Sequence, residues 1–207
     1  MCSSDLRDVA TPGDPASSRL GESYYAFMTR EIPGALRRAW ELERERLAAQ
    51  GRGAWHPANH NLQAWALSVV FWAPLLLWLG SAALPFLLVQ AAFGYSLLSA
   101  ANYVEHYGLK RLRREDGRYE RCAPRHSWNS NQIVSNLLLY QLQRHSDHHA
   151  WPARRYQSLR HFEEAPQLPT GYYGMFLLAM LPPLWRRVMD PKVLAHAEGD
   201  EARINRG

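Results

Sequence analysis

A long uncharged stretch dominates the pattern of polar and apolar positions along the chain. Residues 53–104 contain no Asp, Glu, Lys or Arg, and segments 62–79 and 82–101 within them are mostly apolar. An α-helix rises about 1.5 Å per residue, so each segment can cross, or nearly cross, a hydrocarbon core of about 30 Å. The pattern therefore predicts a transmembrane hairpin at about residues 62–101. The alternative is a buried helical pair in a soluble protein, where uncharged runs of this length are rare.

Basic residues flank the predicted hairpin and indicate its orientation. Arginines precede it and further basic residues follow it: Arg37, Arg38, Arg44, Arg46 and Arg52 before, and Lys110, Arg111, Arg113, Arg114, Arg118, Arg121 and Arg125 after. The short turn between the two apolar segments has no charge. Because cytoplasmic loops of membrane proteins carry an excess of Lys and Arg, both ends of the hairpin are expected on the cytoplasmic side.

The polar flanks contain shorter helical patterns. Residues 34–50 predict an amphipathic helix, which either lies at a membrane surface or covers a core. Residues 133–142 predict an apolar helix that runs directly into a histidine-rich stretch and stops at Trp151-Pro152. Residues 172–185 are apolar but too short to span a bilayer, which favours a re-entrant or interfacial segment. The fold class predicted is all-α, an integral membrane helical bundle with a hairpin and cytoplasmic histidine-bearing helices.

Composition narrows the range of partners. The 207 residues carry 24 Lys and Arg against 19 Asp and Glu, a net charge of +5. These basic residues flank the uncharged stretch instead of forming a basic stripe on a soluble fold, so membrane lipid is the expected partner and nucleic acid is not. Cys2 and Cys122 are far apart and in no CxxC pattern, which indicates two reduced thiols in a cytoplasmic setting.

Three histidines close together in sequence are the main chemical feature. His145, His148 and His149 occupy positions i, i+3 and i+4, which on a helix fall within an arc of roughly 100 degrees. Imidazole suits zinc, iron, copper and nickel, so a zinc hydrolase site and a histidine-rich iron site both remain open. Asp147 lies on another face of such a helix and is expected to orient an imidazole. Stacked histidines or a surface histidine patch are the alternative without a metal.

A carboxylate and an imidazole follow the uncharged stretch directly. Glu105 and His106 are functional candidates because ionisable groups at the mouth of a membrane bundle are costly to retain there. The alternative is an interfacial polar belt formed with Tyr103 and Tyr107. A metal at the edge of a membrane suits an apolar substrate. Oxidation of the C–H bonds of such a substrate requires an oxidant such as activated O₂.

Four motifs resemble one family. Residues 142–150, LQRHSDHHA, 102–109, NYVEHYGL, 126–130, HSWNS, and 165–171, APQLPTG, resemble motifs of the membrane-bound alkane 1-monooxygenases. These enzymes belong to the wider fatty acid desaturase and hydroxylase superfamily. The resemblance extends over about residues 9–194.

The resemblance implies a multi-pass protein of the bacterial inner membrane, with its metal site on the cytoplasmic side. The implied reaction is terminal hydroxylation of medium or long n-alkanes with O₂ at two non-haem iron ions. Electrons would come from rubredoxin and its NADH-dependent reductase. No catalytic residues are implied beyond the metal ligands, which would be His106, His145, His148 and His149. The neighbours expected to support these ligands are Glu105, Asp147, His126 and Asn129.

The start of the chain departs from the family pattern. The family carries two earlier motifs, H-E-x-x-H-K and E-H-x-x-G-H-H, whereas residues 1–8 contain no histidine. We therefore expect residues 1–8 to be an unrelated start, 9–194 to be the C-terminal part of a single domain, and 195–207 to be a polar tail. Such a chain would hold fewer than half of the shared ligands, so the irons would be incompletely ligated and this polypeptide alone inactive.

Two alternatives to alkane hydroxylation remain at this point. Within the same superfamily, the chain could act as a fatty acid desaturase or a xylene-type monooxygenase. Outside it, the histidines could bind zinc for structure in a membrane scaffold.

Overall fold

The computed structural model describes residues 8–207, and within this range it contains helices but no strand. The predicted all-α class is thus confirmed. The predicted unrelated start, apart from Asp8, and Cys2 lie outside the described residues. In the described range the α-helices, numbered α1 to α7, are Tyr24–Ala48, His60–Leu79, Leu84–His106, Ile133–Leu138, His145–Ala150, Tyr172–Ala179 and Pro182–His196.

Helices α2 and α3 correspond to the two apolar segments. Both are long and apolar enough to cross a membrane by length and composition. Gly80 separates α2 from a short 3₁₀ turn before α3, and its φ of 75° suits a residue without a side chain. No side chain within α2 is buried, which is unlike the core helix of a soluble protein. The predicted hairpin began slightly too late and ended slightly too early, since α2 starts at His60 and α3 continues to His106.

The chain forms two compact units. One comprises Pro33–Leu98 and contains α2 with most of α3; the other contains the described residues 8–32 and 99–207. The second unit has an aromatic core at the end of α3, where Tyr103 and Tyr107 are fully buried and lie 4.9 and 5.1 Å, ring to ring, from Trp185 of α7. The two tyrosines therefore do not form an interfacial belt. They pack one face of the last turn of α3 against the core.

The helix predicted at residues 133–142 is interrupted. Helix α4 ends at Leu138, and Tyr140 and Gln141 adopt left-handed backbone conformations with φ of 51° and 60°. The N–H of Gln141 donates to the carbonyl of Asn136, which closes the turn. The histidines consequently lie on a separate short helix, α5, and not on a continuation of α4. As predicted, that helix stops before Trp151-Pro152.

Helix α1 begins ten residues earlier than the sequence pattern predicted. The predicted helix starts at Gly34, directly after Pro33, and proline normally ends or kinks a helix. In the structure α1 starts at Tyr24 and continues through Pro33. Its first turn contributes Tyr24 and Phe27 to the buried core.

The apolar segment 172–185 contributes one side to the core, with Tyr172, Met175 and Trp185 buried, while Leu177 and Leu181 are exposed. It contains α6 and the start of α7, and Pro182-Pro183 lie in the first turn of α7, where a missing N–H costs nothing. The residues after 195 are polar in sequence, yet Ile204 and Asn205 are buried. The N–H of Asn205 donates to the carbonyl of Gly108, so the end of the chain packs beside the end of α3.

Candidate metal centre

Three imidazole nitrogens converge in the larger unit. The Nε2 atom of His145 lies 2.6 Å from Nε2 of His149 and 3.3 Å from Nε2 of His106. One ligand atom from each ring lies within 4.8 Å of the others, and all three residues are buried. Among the described residues this is the only group of three or more His, Cys, Asp or Glu side chains arranged closely enough to hold a metal ion.

The end of α3 is held in a fixed position, and this places His106. The indole N–H of Trp128 donates to the carbonyl of Tyr107, and the backbone N–H of Trp128 donates to the carbonyl of Glu105. These bonds satisfy carbonyls that a helix end leaves without partners. Gly108 then turns the chain with φ of 72°, and a Cβ there would lie 2.7 Å from a methyl carbon of Val193.

Asn129 holds the first turn of α5. Its side-chain oxygen accepts the backbone N–H of Ser146, and its amide donates to the hydroxyl of Ser146 at 2.6 Å. Its own backbone pairs with Pro166 and Leu168 on either side of Gln167. The motifs HSWNS and APQLPTG therefore meet at Asn129, which supports the helix that carries two of the three converging histidines.

Glu105 lies directly beside the histidines. It is almost fully buried, and its Oε2 atom lies 3.1 Å from Nε2 of His145. Its Oε1 atom accepts a hydrogen bond of 2.9 Å from the hydroxyl of Tyr172. Burial and the adjacent carboxylate raise the pKa of Tyr172 well above its ordinary value, so the phenol remains a proton donor.

Asp147 and His126 have partners outside the cluster. The carboxylate of Asp147 accepts the backbone N–H and the guanidinium of Arg160 and lies 3.3 Å from Nε of Arg154. It thus fastens α5 to the following loop, whereas the sequence predicted that it orients an imidazole. His126 is buried, with Nε2 3.1 Å from a carboxylate oxygen of Glu120. Burial lowers the pKa of His126 to about 4.

His148 lies beside the converging nitrogens but is not one of the three. Its ring centroid lies 5.8 Å from that of His145, and it does not join the group of three. Its Nε2 is buried without a hydrogen-bond partner among the described residues. His148 and His145 line a cavity of about 310 Å³ with mostly apolar walls, formed by Leu139, Tyr140, Leu142, Arg154, Tyr156 and Leu159.

The electrostatics of the cluster favour metal binding. Burial and neighbouring imidazoles lower the pKa values of His145 and His149 well below the ordinary range. These rings are therefore neutral at pH 7, and neutral imidazole is the form that binds a metal. Three imidazole nitrogens with a carboxylate beside them fit a first-row transition metal such as iron or zinc, and do not fit a hard ion such as Mg²⁺.

Comparison with known proteins gives the family. Residues 6–179, most of the chain, match the family described as fatty acid desaturase.

The chain belongs to the fatty acid desaturase family.

Within the fatty acid desaturase family, the chain is similar to alkane 1-monooxygenases. It is 58% identical over 198 residues to alkane 1-monooxygenase of Pseudomonas putida, with 96% of this chain and 49% of that protein covered. It is 52% identical over 197 residues to alkane 1-monooxygenase of Acinetobacter baylyi, with 95% and 48% covered. The resemblance predicted from the four motifs is thereby confirmed. The chain spans about half the length of the curated relatives it matches.

A more distant relative has another substrate in its name. The xylene/toluene monooxygenase hydroxylase component XylM of Pseudomonas putida is 29% identical over 176 residues, with 84% of this chain and 46% of that protein covered. The lower identity makes the xylene-type alternative a weaker match than the alkane 1-monooxygenases.

The sequence pattern gives no signal for two buried residues at the site. Tyr172 contacts Glu105 from α6, and Gln143 is fully buried just before α5, where its carbonyl accepts the N–H of Ser130. Tyr172 directly follows the APQLPTG motif, but nothing in the sequence pattern separates it from its exposed neighbour Tyr173. Only the tertiary contact reveals the difference.

Proposed function

We propose that this chain takes part in the terminal hydroxylation of n-alkanes with O₂ at a histidine-ligated, non-haem iron centre in a membrane. The observation that carries this proposal is the convergence of three buried Nε2 atoms, from His106, His145 and His149. It occurs in a chain that is 47–58% identical to proteins named alkane 1-monooxygenase.

The ligands of the proposed iron are His106, His145 and His149. When bound, iron supplies the activation of O₂ that an unactivated C–H bond requires. Burial keeps the imidazoles of His145 and His149 neutral, and Trp128 and Asn129 fix the helix ends that carry the three ligands. A second iron ion, which the family resemblance implies, would have His148 available as a further imidazole.

Membrane insertion of α2 and α3 would bring this centre to the edge of the hydrocarbon layer. The proposal is supported by exposed apolar side chains along both helices, such as Phe71, Trp78, Phe86 and Phe93, which are 62–81% exposed. His106 is the last residue of α3, so the metal site would lie where a lipid-dissolved alkane reaches protein. The basic flanks favour the cytoplasmic side of a bacterial inner membrane.

An electron donor is required, because inserting one oxygen atom of O₂ into a C–H bond also reduces the other atom to water. We propose rubredoxin, reduced by its NADH-dependent reductase, on the strength of the family resemblance. On the cytoplasmic side both proteins would have direct access to the metal-bearing unit.

A chimera tests the proposed function. The matching half of the Pseudomonas putida alkane 1-monooxygenase is replaced by residues 9–207 of this chain and expressed in a bacterial membrane with rubredoxin and its reductase. We expect conversion of n-octane to octan-1-ol, detected by gas chromatography, and loss of the product on His145→Ala. The control is His196→Ala, a histidine whose Nε2 bonds the carbonyl of Arg125 outside the cluster.

The products also distinguish the alternatives. A chimera that reaches the membrane at normal level but forms no alcohol contradicts the proposal. A double bond in a fatty acyl chain as sole product would favour desaturation, and exclusive oxidation of xylene would favour the XylM-like activity. One firmly bound zinc ion, with no turnover of either substrate, would favour a structural zinc site.

A further inference from the structure

The carboxylate of Glu105 is held from two sides. Its Oε2 atom lies 3.1 Å from Nε2 of His145, the same nitrogen that faces His149 and His106. Its Oε1 atom accepts the hydroxyl proton of Tyr172 at 2.9 Å. One oxygen therefore faces the converging nitrogens while the other is occupied by a phenol.

Tyr172 is itself fixed by its surroundings. The side chain is fully buried in the first turn of α6, and its ring lies against Phe176, 5.6 Å between centroids. Its backbone N–H donates to the side-chain oxygen of Gln143, two residues before His145. Gln143 in turn donates to the carbonyl of Gln132 at 2.7 Å. Tyr172 thus connects the end of α3 with the segment that leads into α5.

We propose that Tyr172 is a positioning residue of the metal centre, which holds Oε1 of Glu105 so that Oε2 faces the three histidine nitrogens. A buried carboxylate with one oxygen bonded by a phenol cannot rotate without leaving that oxygen unpaired, which is costly in a dry interior. The Oε2 atom of Glu105 is therefore kept on the side where a metal dication would bind. This inference rests on the metal-site part of the proposed function.

The experiment measures cobalt(II) binding to the full chain in detergent micelles, with cobalt as the probe ion. Its visible absorption reports both affinity and ligand geometry. We expect Tyr172→Phe to weaken cobalt binding about 10- to 100-fold, the range found for residues that orient metal ligands, and to shift the absorption bands. Tyr103→Phe is the matched control, because it also removes a buried hydroxyl, which donates to the carbonyl of Glu22. Its affinity and bands should match those of the unaltered chain.

A double-mutant cycle shows whether Tyr172 acts through Glu105. In a Glu105→Gln background, Tyr172→Phe should change cobalt affinity by less than about threefold, because the carboxylate that it positions is gone. An equally large effect of Tyr172→Phe in both backgrounds overturns the proposal, since the tyrosine would then act only on the fold. Circular dichroism of each variant confirms that the helices are retained.

A second substitution keeps the test decisive where Tyr172→Phe does not fold. In this variant only Tyr172 is replaced, by 3-fluorotyrosine. The replacement retains the ring and the hydroxyl but changes the donor strength of the phenol, so it should shift the cobalt bands. Unchanged bands and affinity overturn the role of Tyr172 and leave the metal site intact. Absence of cobalt binding by the unaltered chain contradicts the metal site itself, and this inference with it.

Discussion

At the scale of single residues, the four histidines near the site are not equivalent, since His106, His145 and His149 converge and His148 does not. The i, i+4 spacing correctly put His145 and His149 on one helix face, and family motifs added His106. Spacing put His148 on the same face, yet in the structure it does not join the converging group. The reason is that α5 has only six residues, so the contacts of each ring depend on the loops around it. The roles of Asp147 and Tyr172 depend on long-range partners, which no local pattern shows.

This difference between the histidines gives a prediction. His145→Ala should weaken cobalt binding by the full chain at least about 100-fold, because it removes the nitrogen that faces both other ligands. His148→Ala should weaken it by about tenfold or less, because that ring is outside the converging group. Isothermal titration calorimetry in detergent measures both. Equal losses would show that all four histidines bind one ion and would contradict the geometry described above.

At the scale of helices, the boundaries were the least predictable feature. The pattern of residues 133–142 is mostly apolar, and nothing in it predicts that Tyr140 and Gln141 turn into left-handed conformations. Side-chain contacts stabilise this turn. The guanidinium of Arg144 donates to the side-chain oxygen of Gln141 and to the carbonyl of Leu159. This turn separates α4 from the histidine-bearing α5.

The left-handed turn can be tested by substitution. Gln141→Val should lower the free energy of unfolding by about 1–2 kcal/mol relative to Gln141→Asn, because a β-branched side chain is strained at positive φ whereas asparagine tolerates it. Both substitutions shorten or remove the contact with Arg144, so their difference isolates the backbone effect. Unfolding in mixed detergent micelles, followed by circular dichroism, measures it. Equal stabilities of the two variants would show that position 141 is not in this conformation.

At the scale of the whole molecule, the uncharged stretch and the basic flanks allowed the all-α class and the two long apolar helices to be predicted. These signals are strong because a bilayer imposes one length and one polarity on any segment that crosses it. The packing of 172–207 around α3 was not predictable in the same way. The apolar residues of this segment are too few to indicate a membrane span, and their partners, such as Tyr107 and Gly108, are distant in sequence.

The orientation of the hairpin in a membrane gives a further prediction. In a variant without the two native cysteines, Ser81→Cys should react with a membrane-impermeant maleimide in spheroplasts, since the turn is expected outside the cytoplasm. Asp116→Cys, in the exposed loop after α3, should react only after lysis. Labelling of both positions before lysis, or of Asp116→Cys alone, would contradict the proposed orientation.

The central claim is that the imidazoles of His106, His145 and His149 bind iron. Iron-edge X-ray absorption of the full chain, loaded with ferrous iron without oxygen, tests it most directly. We predict the multiple-scattering signal of about three imidazoles, and a signal reduced by about one third in His145→Ala. An iron spectrum with oxygen ligands only, or an imidazole signal that His145→Ala leaves unchanged, would contradict the account.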